Sequence, residues 1–145
     1  MNKIYKFGNL HVSALDEWMD ITDYSNNEMP FTLAKKSGTG AFQFSGANYK
    51  SGNNPNITLF DLIEMHESFA SKRSFDDGFD EFSLEENIII FAKSYHHGND
   101  YVRIWYCSDG LSVFLITYLS DWGAQGDEPD ECNRMVLGVS FDYGK

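Results

Sequence analysis

Four histidines and two cysteines are the first candidates for a nucleophile, acid, base or metal ligand near neutral pH. His96 and His97 are adjacent and run into Gly98, Asn99 and Asp100, a turn sequence. Neighbours on a strand point to opposite faces, so these two rings do not share one ion, and a hairpin turn suits solvated side chains. A small hydrolase or nuclease would need His96 or His97 to converge with a carboxylate in a pocket. His66 falls on the apolar stripe of a predicted helix, where a histidine is expected to find a hydrogen-bond partner in the core. His11 has no neighbour that interprets it. Cys107 and Cys132 have no CxxC spacing and no histidine placed to activate them, so buried, inert thiols are expected.

The signature patterns of catalysis are absent. The chain has no GxSxG, Walker, GxGxxG or HExxH pattern, and the SGTG of residues 37–40 lacks the spacing of a phosphate loop. Asp76 with Asp77, or Asp80 with Glu81, could offer oxygen to Ca²⁺, but not in the order of an EF-hand loop. No catalytic residue, metal or cofactor is expected.

Charge clustering is the feature that stands out. The stretch from Asp76 to Glu86 carries Asp76, Asp77, Asp80, Glu81, Glu85 and Glu86 with no base; that from Asp121 to Glu131 carries Asp121, Asp127, Glu128, Asp130 and Glu131, again with none. Phe75, Phe79 and Phe82 interleave the first, and Trp122, Gly123 and Gly126 lead the second. Carboxylates around an aromatic anchor suit a surface that captures a basic partner, with charge setting the encounter and rings supplying desolvated contact. The partner-binding set is therefore Asp76, Asp77, Phe79, Asp80, Glu81, Asp121, Trp122, Asp127, Glu128, Asp130 and Glu131, on stretches read as loops except where Asp130 and Glu131 enter a short acidic helix. The plainer account is solvated loops whose phenylalanines dip into the core.

These residues need a scaffold. With 145 residues, 42% apolar and 16% aromatic, the chain can bury one core, and residues 1–145 read as a single domain. A formal charge of −11 repels phosphate backbones and anionic lipid, which argues against direct nucleic-acid or membrane binding. MNKIYKFGNL lacks an apolar run of signal length and no long apolar span follows, so a soluble cytoplasmic protein is expected.

The clearest helix covers about residues 58–71. Thr58 and Asp61 form a capping box, Ile57 can staple on Leu62, and Leu59, Leu62, Ile63, His66, Phe69 and Ala70 recur at helical spacing. Before it, Gly52 and Pro55 break regular structure. Runs from Ile88 to Tyr95, Tyr101 to Cys107 and Leu111 to Leu119 read as a meander, the last apolar on both faces and therefore central. Asp109-Gly110 predicts a two-residue type I′ turn. Ile4–Phe7, Phe31–Lys35 and Ala41–Ser45 read as short strands, with Gly38 and Gly40 in a hairpin between the last two. Leu10–Tyr24 stays open between helix and strand. Pro129–Met135 reads as a short acidic helix leading into a strand from Val136 to Phe141. The sum is an α+β fold: a mostly antiparallel sheet with one main helix packed on it and a short C-terminal helix.

GAFQFSGANYKSGNNPNITLFDLIEMHESFA, residues 40–70, and the closing LGVSFDY resemble the small acidic immunity proteins of bacterial polymorphic-toxin and contact-dependent growth inhibition systems. The resemblance rests on the GAFQFS strand, the GNNPNIT turn opening a helix, and a late strand ending in Ser-Phe. It implies a cytoplasmic, non-enzymatic protein, monomeric until it pairs with one cognate toxin domain, often a basic nuclease, whose active site or substrate groove it occludes. It carries over no binding residue. Two other classes remain open: the histidine hydrolase, and an adaptor that binds a peptide along an exposed sheet edge free of charged gatekeepers.

Overall fold

The computed structural model describes residues 3–47 and 56–143; the stretch with Gly52 and Pro55 lies outside them. The elements in chain order are β1 (Lys3–Phe7), β2 (Leu10–Ala14), β3 (Trp18–Asp20), β4 (Phe31–Lys35), β5 (Ala41–Ala47), α1 (Leu59–Lys72), β6 (Phe79–Glu85), β7 (Ile89–His97), β8 (Asp100–Ser108), β9 (Val113–Asp121), α2 (Glu128–Leu137) and β10 (Ser140–Phe141). A seven-stranded sheet runs β3-β4-β5-β9-β8-β7-β6 and a three-stranded sheet runs β1-β2-β10. Every pairing is antiparallel. The fold is α+β, with the main helix packed on the large sheet.

That sheet divides the apolar core in two. On one side α1 and Ile57 cover Phe91, Tyr95, Val102, Ile104, Tyr106 and Val113. On the other, the small sheet and α2 press Phe7, Leu10, Val12, Cys132, Met135 and Val136 against Phe42, Phe44, Trp105 and Ile116. β9 takes the central place that its composition predicts. The strand buried on both faces along its length, however, is its neighbour β8, while Leu119 near the end of β9 is exposed.

Local chemistry explains the elements. Thr58 caps α1: the Asp61 N–H donates to its hydroxyl at 3.3 Å, and its own N–H donates to the Asp61 carboxylate at 2.8 Å, so two otherwise unpaired donors are satisfied reciprocally. β2 buries Leu10, Val12 and Ala14 at period two, which settles the undecided N-terminal segment as strand, with β3 following after a short turn. Gly98 has φ 59 in the two-residue turn that pairs His97 with Asp100, the backbone position where a side chain is costly.

Three expectations are corrected. Ser108 pairs with Val113, so Asp109-Gly110 sits in a four-residue loop and not a type I′ turn. The Asp109 carboxylate closes that loop by accepting from the Leu111 and Ser112 N–H groups, both at 3.0 Å. α2 runs on to Leu137, because Cys132, Met135 and Val136 bury one helical face; the last strand is only Ser140–Phe141. Residues 79–85, read as part of an acidic loop, are β6, the edge strand of the large sheet. No helix among the described residues is long and apolar enough to cross a membrane.

His66 is in the core but only half satisfied. It is 1% exposed, boxed by Phe91, Tyr95 and Tyr106. Its Nδ1 has a long contact of 3.5 Å with the Tyr95 hydroxyl, and Nε2 has no hydrogen-bond partner among the described residues. The Ile104 backbone favours the protonated ring without reaching hydrogen-bond geometry, whereas burial and then the Lys93 charge push the pKa down to about 4. The unfolded chain thus takes up a proton that the folded ring refuses. Stability should be fully retained above about pH 6.5 and fall, by up to about 3 kcal/mol, as pH drops toward 4. Urea midpoints measured from pH 7.5 to 4.5 check this: His66→Leu should lack that component of the decline.

Candidate acidic and aromatic interaction site

The acidic stretch from Asp121 to Glu131 does not behave as one surface. Asp121 ends β9, Trp122 follows in a turn where Gly123 has φ 94, and Asp127 is the cap residue of α2. From there helical phase sorts the carboxylates. Glu128 is 7% exposed and accepts from the Thr39 N–H at 3.0 Å, the Gly40 N–H at 3.1 Å and the Tyr118 hydroxyl at 2.8 Å. Glu131, one turn on, accepts from Trp18 Nε1 at 2.8 Å and pairs with Lys35 at 3.0 Å. Burial alone would raise its carboxyl, but those two bonds outweigh burial and hold it below the ordinary range. Both residues pin α2 to the sheet, so their oxygens are already committed. Asp127 and Asp130 share the other, exposed face of the helix.

The first acidic stretch is shaped by a bulge. Phe79 pairs with Ser94 and Phe82 with Ala92, so Asp80 and Glu81 together stand opposite Lys93. Asp80 has φ 51, and Asp77 just before the strand has φ 57, left-handed conformations that cost an L-residue on the order of 1 kcal/mol and that aspartate tolerates better than most. The bulge turns the Asp80 carbonyl inward, where it accepts from Arg103 Nη1 at 2.9 Å, and leaves its side chain exposed. Glu81 pairs loosely with Lys93 at 3.6 Å across exposed surface. Asp76, Asp77, Asp80, Asp121, Asp127 and Asp130 form no ion pair within 4.0 Å among the described residues. The charged edge of β6 also lacks the bare profile that peptide addition to a sheet edge would need.

The two stretches meet at an aromatic cluster. Phe79 stands edge-on to Trp122 with centroids 6.1 Å apart, and Tyr101 lies 5.9 Å from the same indole. His96 stacks flat on Trp122 at 3.6 Å and 5°, and the Trp122 backbone N–H donates to the Asn99 carbonyl at 2.8 Å. Trp122 keeps 42% of its surface exposed, unusual for a ring held on several sides. Beneath the cluster is a buried polar chain: the Tyr101 and Ser94 hydroxyls are 2.8 Å apart, Arg103 Nη1 donates to Ser94 at 2.8 Å, and Arg103 Nε donates to Asn133 on α2 at 2.9 Å. Asp80 and Asp130, one from each stretch, both act electrostatically on Tyr101 and Arg103.

Chemically, the site offers an indole face edge, a phenyl ring and outward carboxylates. His97 packs against Phe75 at 4.6 Å while His96 lies on Trp122, so the two imidazoles occupy opposite faces of the sheet. No group of three or more His, Cys, Asp or Glu side chains that could hold a metal ion is found among the described residues. Cys107 and Cys132 are buried free thiols whose ionisation burial pushes upward, to about 12 for Cys107. Of the sequence-selected residues, Phe79 and Trp122 touch, and Asp80 and Asp130 act on the same Tyr101 and Arg103; Asp76, Asp77, Glu81, Asp121 and Asp127 are exposed. His96 as the stacking partner, Tyr101 and Arg103 were not selected. The two-residue turn at Gly98-Asn99 already sets His96 opposite Tyr101, a signal available from the hairpin alone.

The division of labour within α2 is measurable. Glu128→Ala should lower stability by about 2 kcal/mol, because it leaves two part-buried backbone N–H groups and the buried Tyr118 hydroxyl without their carboxylate acceptor. Asp127→Asn, one residue earlier, should stay within about 0.5 kcal/mol of wild type. Chemical denaturation of both variants checks the contrast. A scan against models of known protein families returned no match for this chain, and a search of curated proteins returned none.

Proposed function

We propose that the chain is a non-enzymatic inhibitor that captures a cationic protein, in the manner of a bacterial immunity protein neutralising a basic nuclease toxin domain. The single observation that carries the reading is the meeting of the two acidic stretches at the contact between Phe79 and Trp122. A nuclease must attract polyphosphate and so presents a basic groove; carboxylates placed there reproduce the substrate's charge and offer nothing to cleave. Outward Asp76, Asp77, Asp80, Asp121, Asp127 and Asp130 provide the field, and a net charge of −11 extends it. Trp122, rigidly stacked and partly open, is the anchor that loses little side-chain freedom on binding. Glu128 and Glu131 take no part, since their oxygens are used inside the fold. The protein acts in the cytoplasm, where two unpaired thiols are the normal state, and forms a heterodimer with its target.

The reading expects an open reading frame directly upstream that encodes a large secreted protein with a toxic C-terminal domain, and the test is co-expression with that domain. Rescue of growth and co-purification are expected; unrescued growth with no complex overturns the reading. Within the complex, Asp80→Asn with Asp130→Asn should slow association about tenfold at low salt and little at high salt, as for steered encounters. Trp122→Ala should act mainly on dissociation and weaken binding by at least about 30-fold, the scale of an interface anchor. Stopped-flow association at two ionic strengths separates the two effects.

A further inference from the structure

We infer that the cleft between β6 and α2 is a binding site for a carboxylate on a short apolar body, received by Arg103. The inference does not depend on the inhibitor reading. Arg103 is 3% exposed, and its guanidinium carries a permanent charge and five N–H donors. Three are used, on the Asn133 amide oxygen, the Asp80 carbonyl and the Ser94 hydroxyl, all neutral acceptors. No carboxylate lies within 4.0 Å of it among the described residues, and Nη2 makes no hydrogen bond there. A buried cation without a counter-ion is costly, and donors left over are answered best by an ionised acceptor.

Arg103 borders a cleft. Arg103 and its partner Asn133 line it together with Phe82, Ile90, Trp105, Val136 and Leu137, and about 70 Å³ is free, on the order of a few water-sized positions and enough for a carboxylate head whose methyl groups rest at the mouth. Phe82 and Leu137, 37% and 50% exposed, leave apolar surface at its mouth. The Trp105 ring lies 5.4 Å from the guanidinium and walls the floor on one side. The site is not simply electropositive: Asp80 and Asp130 act on the same guanidinium through space. They weaken an incoming anion without occupying the Nη2 donors. The ligand is thus recognised by direct hydrogen bonds and apolar fit at short range, and removing one of those two charges strengthens its binding.

The same head-group chemistry is available from a free short-chain acid or from the C-terminus of a polypeptide ending in an aliphatic residue. Isobutyrate, isobutyramide and isobutyramidinium share one shape and differ in charge, so methyl NMR of Ile90, Val136 and Leu137 with the Trp105 indole N–H reads the head group alone. Isobutyrate is expected to bind at least about fivefold tighter than the amide, the difference a charge-assisted bond makes. Asp130→Asn should tighten it about twofold to threefold, and Leu137→Trp, which fills the mouth from an exposed helix position, should abolish it. Equal binding of acid and amide, or tighter binding of the amidinium, overturns the inference, the latter assigning the cleft to Asp80 and Asp130. N-acetylvaline outcompeting isobutyrate supports a polypeptide terminus as the source; isobutyrate binding with N-acetylvaline excluded supports a free acid.

Discussion

Two segments rich in carboxylates repel one another, and the Arg103 guanidinium is what lets them lie side by side. It draws in the carbonyl of the β6 bulge, the Ser94 hydroxyl of β7 and the Asn133 amide of α2, so an edge strand and a helix far apart in sequence share one buried positive charge. Asp130 and Asp80 act on it through space from either side. The cost of burying a guanidinium is offset by bonds to polar groups, each roughly twice as strong as its neutral equivalent, and by the Trp105 ring beside it. The aromatic cluster, the bulge and the cleft all depend on this arrangement.

Around that charge the acids divide by what each can reach. Glu128 meets two backbone N–H groups at the Thr39-Gly40 turn, and Glu131 meets an indole and a lysine, so both work as fasteners for α2. Asp127 and Asp130 lie about a third of a helical turn round and meet only solvent and field. Helical phase alone therefore separates structural from outward carboxylates. Once Pro129–Met135 is read as helix, Glu128 and Glu131 fall beside Cys132 and Met135 on the inward side, which the charge count of the stretch conceals.

Legibility varied with the strength of local pattern. α1 was readable because a capping box, a staple, and five apolar residues with His66 at one spacing all agree. The β7 and β8 hairpin was readable from its β-branched and aromatic runs and from the glycine at its turn. β6 was hidden: an edge strand with most of its residues exposed needs no apolar alternation, and its acids, which keep such an edge from pairing with other chains, resemble loop composition. Leu10–Tyr24 was ambiguous since five alternating residues fit two periods equally well. Val136 was misplaced because an apolar run at a helix end looks the same as the start of a strand.

The amino-acid sequence by itself determined the charge, the class of fold, the main helix with its cap and the central place of β9, because each follows from composition or from contacts within a few residues. Tertiary structure alone decided which carboxylates point outward, that Phe79 and Trp122 touch, and that a guanidinium with spare donors opens on a cleft. Those outcomes depend on register across strands and on the phase of a helix docked over a hundred residues from the strand it pins, and hydrogen bonds of that range leave no local pattern to read.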